Sequence, residues 1–236
     1  MRWLYPAQCP VCQQILPQNI FISEEEQQIC SCCVQKLEYV KEPVCKKCGK
    51  PLEKQEQEYC YDCRRKTHSY DSGKAVFVYG ADIRVSMYRF KYSNKRDYGK
   101  IYAREAFERY KDWIKRLNPD AILPIPLHKK RRKARGYNQA ELIAAEISAL
   151  CEVPMNITLL ERIENTRPQK ELNDQQRKNN LKNAFLVREN SLQLKKVLLI
   201  DDIYTTGSTM DEAARVLKAA GVEQVFCLCI CIGRGY

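Results

Sequence analysis

The sequence predicts an α/β fold: a parallel sheet flanked by helices, with a small N-terminal domain built on metal-binding cysteines. Three observations carry this. Short apolar runs alternate with helical periodicities from residue 75 to residue 232, the pattern of strands joined by crossover helices. Eight cysteines fall into four C-x-x-C pairs within the first 63 residues. One apolar run, 197–201, ends in two adjacent acids followed by a Thr/Ser/Gly turn, and parallel sheets bind ligands at the carboxyl ends of their strands.

The cysteine pairs come first along the chain. They are Cys9 and Cys12, Cys30 and Cys33, Cys45 and Cys48, and Cys60 and Cys63. Each presents two thiolates from a tight turn, and two pairs complete a tetrahedral zinc site. In sequence order, Cys9, Cys12, Cys30 and Cys33 hold one zinc, and Cys45, Cys48, Cys60 and Cys63 a second. An interleaved arrangement stays open at this point, as does Cys32 in place of Cys33. Four thiolates leave no position for water, so the zinc is structural. The domain spans 1–66, too short to bury a sufficient core, and metal supplies its stability. A polar link, 64–73, leads into the second domain, 67–236, which has its own core.

In that domain 75–79 reads as a strand and 83–92 as a helix. Residues 101–117 form an amphipathic helix with Ala103, Phe107, Tyr110, Ile114 and Leu117 on one face, core residues rather than a base-stacking platform. A short strand, 121–125, is broken by Pro124 and Pro126. The run 129–135 holds six basic residues in seven. It suits a solvated face, a pyrophosphate or substrate contact, or a nucleic-acid backbone. No aromatic interleaves it before Tyr137, so no single-strand stacking groove is visible. Residues 137–151 read as a helix. A long polar stretch, 163–183, suits either a lid or a solvated helical face. Strand 197–201 follows, then helix 208–220 with Gly221 beyond its end, and 222–232 completes the sheet. Within it Cys227, Cys229 and Cys231 alternate, which places them on one strand face as small core residues. His128 reads as a surface residue, and His68 as unneeded for metal beside four complete pairs.

Net charge is +11 with 44% hydrophobic residues. The charge admits phosphate-rich partners without choosing among them. No apolar run is long enough to span a bilayer, and residues 1–9 lack a signal-peptide core. The expected location is the cytoplasm.

The turn carries the chemistry. Residues 197–209 read Val-Leu-Leu-Ile-Asp-Asp-Ile-Tyr-Thr-Thr-Gly-Ser-Thr. Thr205, Thr206, Ser208 and Thr209 supply hydroxyls, and Gly207 lets the backbone approach closely. Unpaired amides at the following helix N-terminus make a phosphate cradle. Asp201 and Asp202 can accept hydrogen bonds from a sugar diol. The ligand so described is a ribose 5-phosphate. The thirteen residues resemble the phosphoribosyl pyrophosphate (PRPP) motif of type I phosphoribosyltransferases.

Further segments narrow the resemblance: Phe90-Lys91-Tyr92; Pro124-Ile125-Pro126-Leu127; Arg135-Gly136-Tyr137-Asn138-Gln139; and Thr166, Gln169, Arg177, Asn180 and Phe185 in order. With the double zinc ribbon they resemble the ComF family of competence proteins over nearly the whole chain. The resemblance implies a type I phosphoribosyltransferase-like sheet and a role in natural transformation. It implies passage of single-stranded DNA into the cytosol beside a ComF-type helicase, at the inner membrane face through partners. It also implies PRPP with Mg2+ as ligand, Asp201 and Asp202 as candidate catalytic residues, residues 205–209 on the 5-phosphate, and backbone amides of the loop 124–127 on pyrophosphate, where we choose Arg135 as the charged contact. Two functions stay open: PRPP binding by an adaptor of DNA uptake, and phosphoribosyl transfer to a base or amine in nucleotide metabolism.

Overall fold

The computed structural model describes residues 8–16, 29–163, 184–188 and 193–234. Thr166, Gln169, Arg177 and Asn180, and all but the first residue of the stretch read as a lid or a solvated face, lie outside them. Four parallel strands form the sheet in the order β1 (Ser72–Val78), β6 (Gln224–Ile232), β5 (Lys196–Tyr204), β2 (Ala121–Pro124). The last strand in sequence therefore lies inside the sheet. A two-stranded antiparallel ladder, β3 (Leu160–Arg162) with β4 (Phe185–Val187), stands apart from it. Among the described residues the helices are α1 (Ser31–Lys36), α2 (Tyr61–Arg65), α3 (Ala81–Tyr92), α4 (Tyr98–Leu117), α5 (Lys129–Arg135), α6 (Gln139–Cys151) and α7 (Ser208–Ala219). No described helix is long and apolar enough to cross a membrane.

Alternation along the strands builds two cores. On one face Leu198, Ile200 and Leu228 pack with residues of α3, α4 and α6. On the other Val197, Leu199 and Val225 pack with Ala213, Ala214 and Leu217 of α7. The cysteines of β6 depart from strict alternation. Cys227 and Cys229 join the second core, whereas Cys231 joins the first beside Ile230. The neighbouring strand does the same: Val76 and Phe77 both face the first core, while Ala75 and Val78 belong to the second. Alternation is lost across the paired strands together, which sequence spacing in β6 alone could not show.

The cysteine region wraps the sheet. Cys9, Cys33 and Leu37 belong to the first core, and Cys45, Cys48 and Cys60 to the second. Between them residues 38–40 run antiparallel along the outer side of β1. The Val40 N–H donates to the Val76 carbonyl at 2.9 Å, and the Val78 N–H to the Glu38 carbonyl at 2.8 Å. A free sheet edge is thereby covered. The first knuckle is fastened to α3, where Arg89 Nη1 donates to the Val11 carbonyl at 2.9 Å. The second meets the start of β1, where the Gly73 N–H donates to the Lys47 carbonyl at 2.7 Å. Gly49, at φ +77°, is required there, because a Cβ would lie 2.7 Å from the Gly73 oxygen.

Candidate functional site

The cysteines sort as two sets in sequence order. Within each set, Cys9, Cys12, Cys30, Cys33 and Cys45, Cys48, Cys60, Cys63, all sulfurs lie within 4.8 Å of one another. Cys12 and Cys30 sulfurs are 3.7 Å apart, and Cys48 and Cys60 sulfurs 3.6 Å. Tetrahedral thiolates about 2.3 Å from a zinc stand about 3.8 Å apart, so both sets fit the ion. Cys32 is exposed and in neither set.

Strand β5 delivers the two acids to the carboxyl edge of the sheet. They open onto a cavity of about 490 Å3. Its wall includes Asp201, Asp202, Thr205, Thr209 and Arg135 among the expected residues. Thr206, Gly207 and Ser208 form the turn beside it, with the Thr206 and Ser208 hydroxyls 3.0 Å apart. Gly207 holds φ +78° at the N-cap of α7. A Cβ there would fall 2.2 Å from the Tyr204 hydroxyl. That hydroxyl is 2.7 Å from the hydroxyl of Tyr70. Burial holds both phenols far above the ordinary tyrosine range, so they stay protonated and the bridge persists at every physiological pH. On the first turn of α7, Asp211 accepts from the Ser69 N–H.

The dyad sits in a strong local field. Asp202 is buried, and Lys91 Nζ lies 2.8 Å from its Oδ2. Burial works against the Lys91 ammonium, but Asp202 and then Asp201 outweigh it and hold its pKa above the ordinary value. Burial, then the Asp202 charge, push Asp201 up to about 7, against the Asp202 N–H, Lys91 and Arg162. That N–H donates to Asp201 Oδ1 at 2.8 Å. Arg162 is buried on the same wall, its guanidinium 5.4 Å from the centroid of Phe185. Burial, with Arg131 beside it, lowers its pKa to about 10.

The basic run is a helix, and its phase divides it. Arg131 and Arg135, four apart, face the cavity. Lys129 and Arg132 make surface ion pairs with Glu161 at 3.1 Å and Glu141 at 2.6 Å, while Lys130 and Lys133 are exposed. Arg135 donates to Gln139 Oε1 at 2.5 Å and lies 5.1 Å from the centroid of Tyr92. Gly136, at φ +81°, ends the helix. Tyr137 and Gln139 then both donate to the Phe90 carbonyl, and Asn138 Nδ2 to the Ile125 carbonyl at 3.0 Å. Sequence reasoning gave no role to Lys91 and did not select Arg162. Both are separated from the motif in sequence, and only the tertiary fold brings them to it. Helical phasing of 129–135 could have singled out Arg131 with Arg135.

Comparison with known proteins agrees with this architecture. A double zinc ribbon domain model matches residues 1–64, and a phosphoribosyl transferase domain model matches 96–235. Competence protein F of Haemophilus influenzae is 33% identical over 170 residues, 70% of this chain and 74% of that protein. Competence protein ComFC of Bacillus subtilis is 26% identical over 233 residues, 91% of this chain and 92% of that protein. DNA utilization protein YhgH of Escherichia coli K12 is 37% identical over 113 residues, 47% of this chain and 49% of that protein. With two four-cysteine sets around a parallel sheet of this kind, the chain belongs to the ComF family of competence proteins, in which a double zinc ribbon joins a phosphoribosyl transferase domain.

Proposed function

We propose that the chain binds PRPP with Mg2+ at the carboxyl end of β5 and serves uptake of DNA in natural transformation. The carrying observation is that two adjacent acids and the Thr205 and Thr209 walls of the phosphate turn open onto one cavity. In this reading Asp201 and Asp202 hold the ribose hydroxyls, residues 205–209 the 5-phosphate, and Arg135 the pyrophosphate. Mg2+ bound with PRPP would offset the charge of the pyrophosphate that Arg135 meets. The ribbons, residues 1–66, are structural, and residues 67–236 carry the ligand. The uptake role draws support from relatives named as competence and DNA utilization proteins. The partners of this reading are single-stranded DNA, met by the outward cations of α5, and a ComF-type helicase. Its location is the cytoplasm, at the inner membrane face through those partners.

A second reading is phosphoribosyl transfer. In it an acceptor nitrogen bonds to the anomeric carbon and releases its proton to solvent, as the bond to pyrophosphate breaks and the pyrophosphate leaves with that electron pair. Positioning and electrostatics suffice for such chemistry. The observation favouring it is that the cavity extends beyond the dyad to the face of α3. Titration calorimetry with PRPP and Mg2+ tests the first reading. Wild type should bind, and Asp201→Ala with Asp202→Ala should not, while its circular dichroism stays unchanged. Equal affinity in both would overturn the site. Pyrophosphate release in the presence of bases or single-stranded DNA tests the second.

A further inference from the structure

The polar link between the domains docks against the phosphate turn. His68 and Tyr70 are both buried, their rings stacked 5.0 Å apart at 25°. Between them the Ser69 N–H donates to Asp211 on the first turn of α7, and His68 Nδ1 lies 3.6 Å from Asp211 Oδ1. The rings of Tyr70 and Tyr204 meet edge to face, 6.4 Å apart at 87°, with their hydroxyls 2.7 Å apart. Tyr204 is the floor of the turn, because its hydroxyl fills the space that a side chain at 207 would take. Lys47 grips the link from the other side. It sits inside the Cys45–Cys48 knuckle, its Nζ is 5.4 Å from the Tyr70 centroid, and its carbonyl accepts from the Gly73 N–H. Cys45, Cys48, Cys60, Tyr70 and Tyr204 all belong to one core.

We propose that residues 68–70 are a brace through which the second cysteine set holds the phosphate turn ready for its ligand, with Tyr70 as a positioning residue; this rests on the reading of residues 205–209 as the 5-phosphate site. A cradle of amides binds phosphate only while its N–H groups converge, and a turn that samples other forms loses affinity in proportion. Packing alone would need only two phenyl rings at 70 and 204. Both rings instead carry hydroxyls that meet in a buried place, where an unpaired hydroxyl is costly. That bond fixes the direction of the Tyr204 ring as well as its depth, and the turn rests on that ring. Zinc in the second set fixes the knuckle that holds Lys47, so the metal reaches the turn through the link. The first set joins the other core and is fastened to α3 instead. The two zinc sites therefore differ in role: only the second is tied to the phosphate turn.

Hydrogen exchange on the full chain, with calorimetry using ribose 5-phosphate as the probe, decides this. Tyr70→Phe should speed exchange of the amides at 205–209 by about threefold to tenfold, the fold-change that loss of one hydrogen bond produces. Exchange at 197–201 should stay as in wild type, which a general loss of stability would not allow. Ribose 5-phosphate should bind more weakly by a similar factor. Tyr204→Phe should match Tyr70→Phe, and the two together should be no worse than either, because no hydroxyl is then left unpaired. Effects of the two that simply add would overturn the brace, as would unchanged exchange at 205–209 in Tyr70→Phe. For the metal, Cys60→Ser with Cys63→Ser should speed exchange at 205–209, whereas Cys12→Ser with Cys30→Ser should not. Equal effects of the two pairs, or a loss in the first pair spread evenly over the sheet, would overturn the link to the second set. If wild type fails to bind ribose 5-phosphate while Tyr70→Phe still loosens the turn, the PRPP reading falls and the brace stands. If ribose 5-phosphate binds equally to wild type and Tyr70→Phe with exchange unchanged, the brace falls and the PRPP reading stands.

Discussion

At Asp201 the folded protein binds a proton more tightly than the unfolded chain does, because burial and Asp202 disfavour the second charge. The contribution of this group to stability is therefore full below its unfolded value, near 4, and lost as pH rises through about 7. Asp201→Asn removes the titration. Its advantage over wild type should grow between pH 4 and pH 7, level off above, and reach on the order of 1–3 kcal/mol after allowance for solvent access. Urea denaturation across that range checks it, and a flat difference would contradict the buried charge. The same variant should bind PRPP about tenfold or more weakly, from loss of a charged acceptor. Lys91→Met leaves Asp202 buried without its ammonium, and should lower stability at pH 7 by about 1–3 kcal/mol in the same assay. The motif acids were legible because thirteen consecutive residues spell their setting. The roles of Lys91 and Arg162 were not: Lys91 stood in a segment of the resemblance with no partner assigned and Arg162 in none, and only the fold brings either cation to the acids.

Among elements, the turn between β5 and α7 has the narrowest tolerance. Gly207→Ala places a methyl against the Tyr204 ring and a side chain in the left-handed region. The backbone alone costs about 1–3 kcal/mol, and the ring contact adds to it. The melting temperature should fall and phosphate affinity with it. Combining Gly207→Ala with Tyr204→Ala should relieve only the steric part. Equal melting of Gly207→Ala and wild type would show that the turn adapts. Most strands and helices were readable from periodicity. Helix α5 was not, because six cations in seven residues leave no apolar rhythm, and it is seen only through its His128 cap and Gly136 exit. Three of the segments behind the resemblance are separate in sequence, and the fold supplies their physical connection. Phe90 offers a carbonyl, Tyr137 and Gln139 grip it, and Asn138 ties the same helix start to Ile125. They form one joint at the mouth of the cavity.

At the scale of the whole molecule, the ribbons and the sheet share both cores, so removing zinc should reach beyond residues 1–66. Chelation should raise hydrogen exchange in β1, whose outer side pairs with residues 38–40, and in α3, which holds the first knuckle. Exchange in β2 and α6, away from both ribbons, should change least. Metal analysis should return close to two zinc ions per chain for the two sets. Uniform loss of protection would instead mean that sheet and ribbons unfold as one unit. The four pairs made the metal sites legible. Their placement on opposite faces was not, because spacing within a turn says nothing about which core the turn joins.

The position of β6 sets an order on how the chain can assemble. Its neighbours are β1 and β5, yet it is made about 150 residues after β1 begins. While the ribosome supplies the intervening chain, β1 has no strand to pair with on its inner side, and such waiting strands invite aggregation. The segment at residues 38–40 is already synthesised by then, tethered on both sides by a knuckle that zinc can close. A metal-loaded N-terminus would then offer the nascent strand a partner on its outer side. Zinc-starved cells should accumulate this protein as insoluble chain rather than as an inactive folded form.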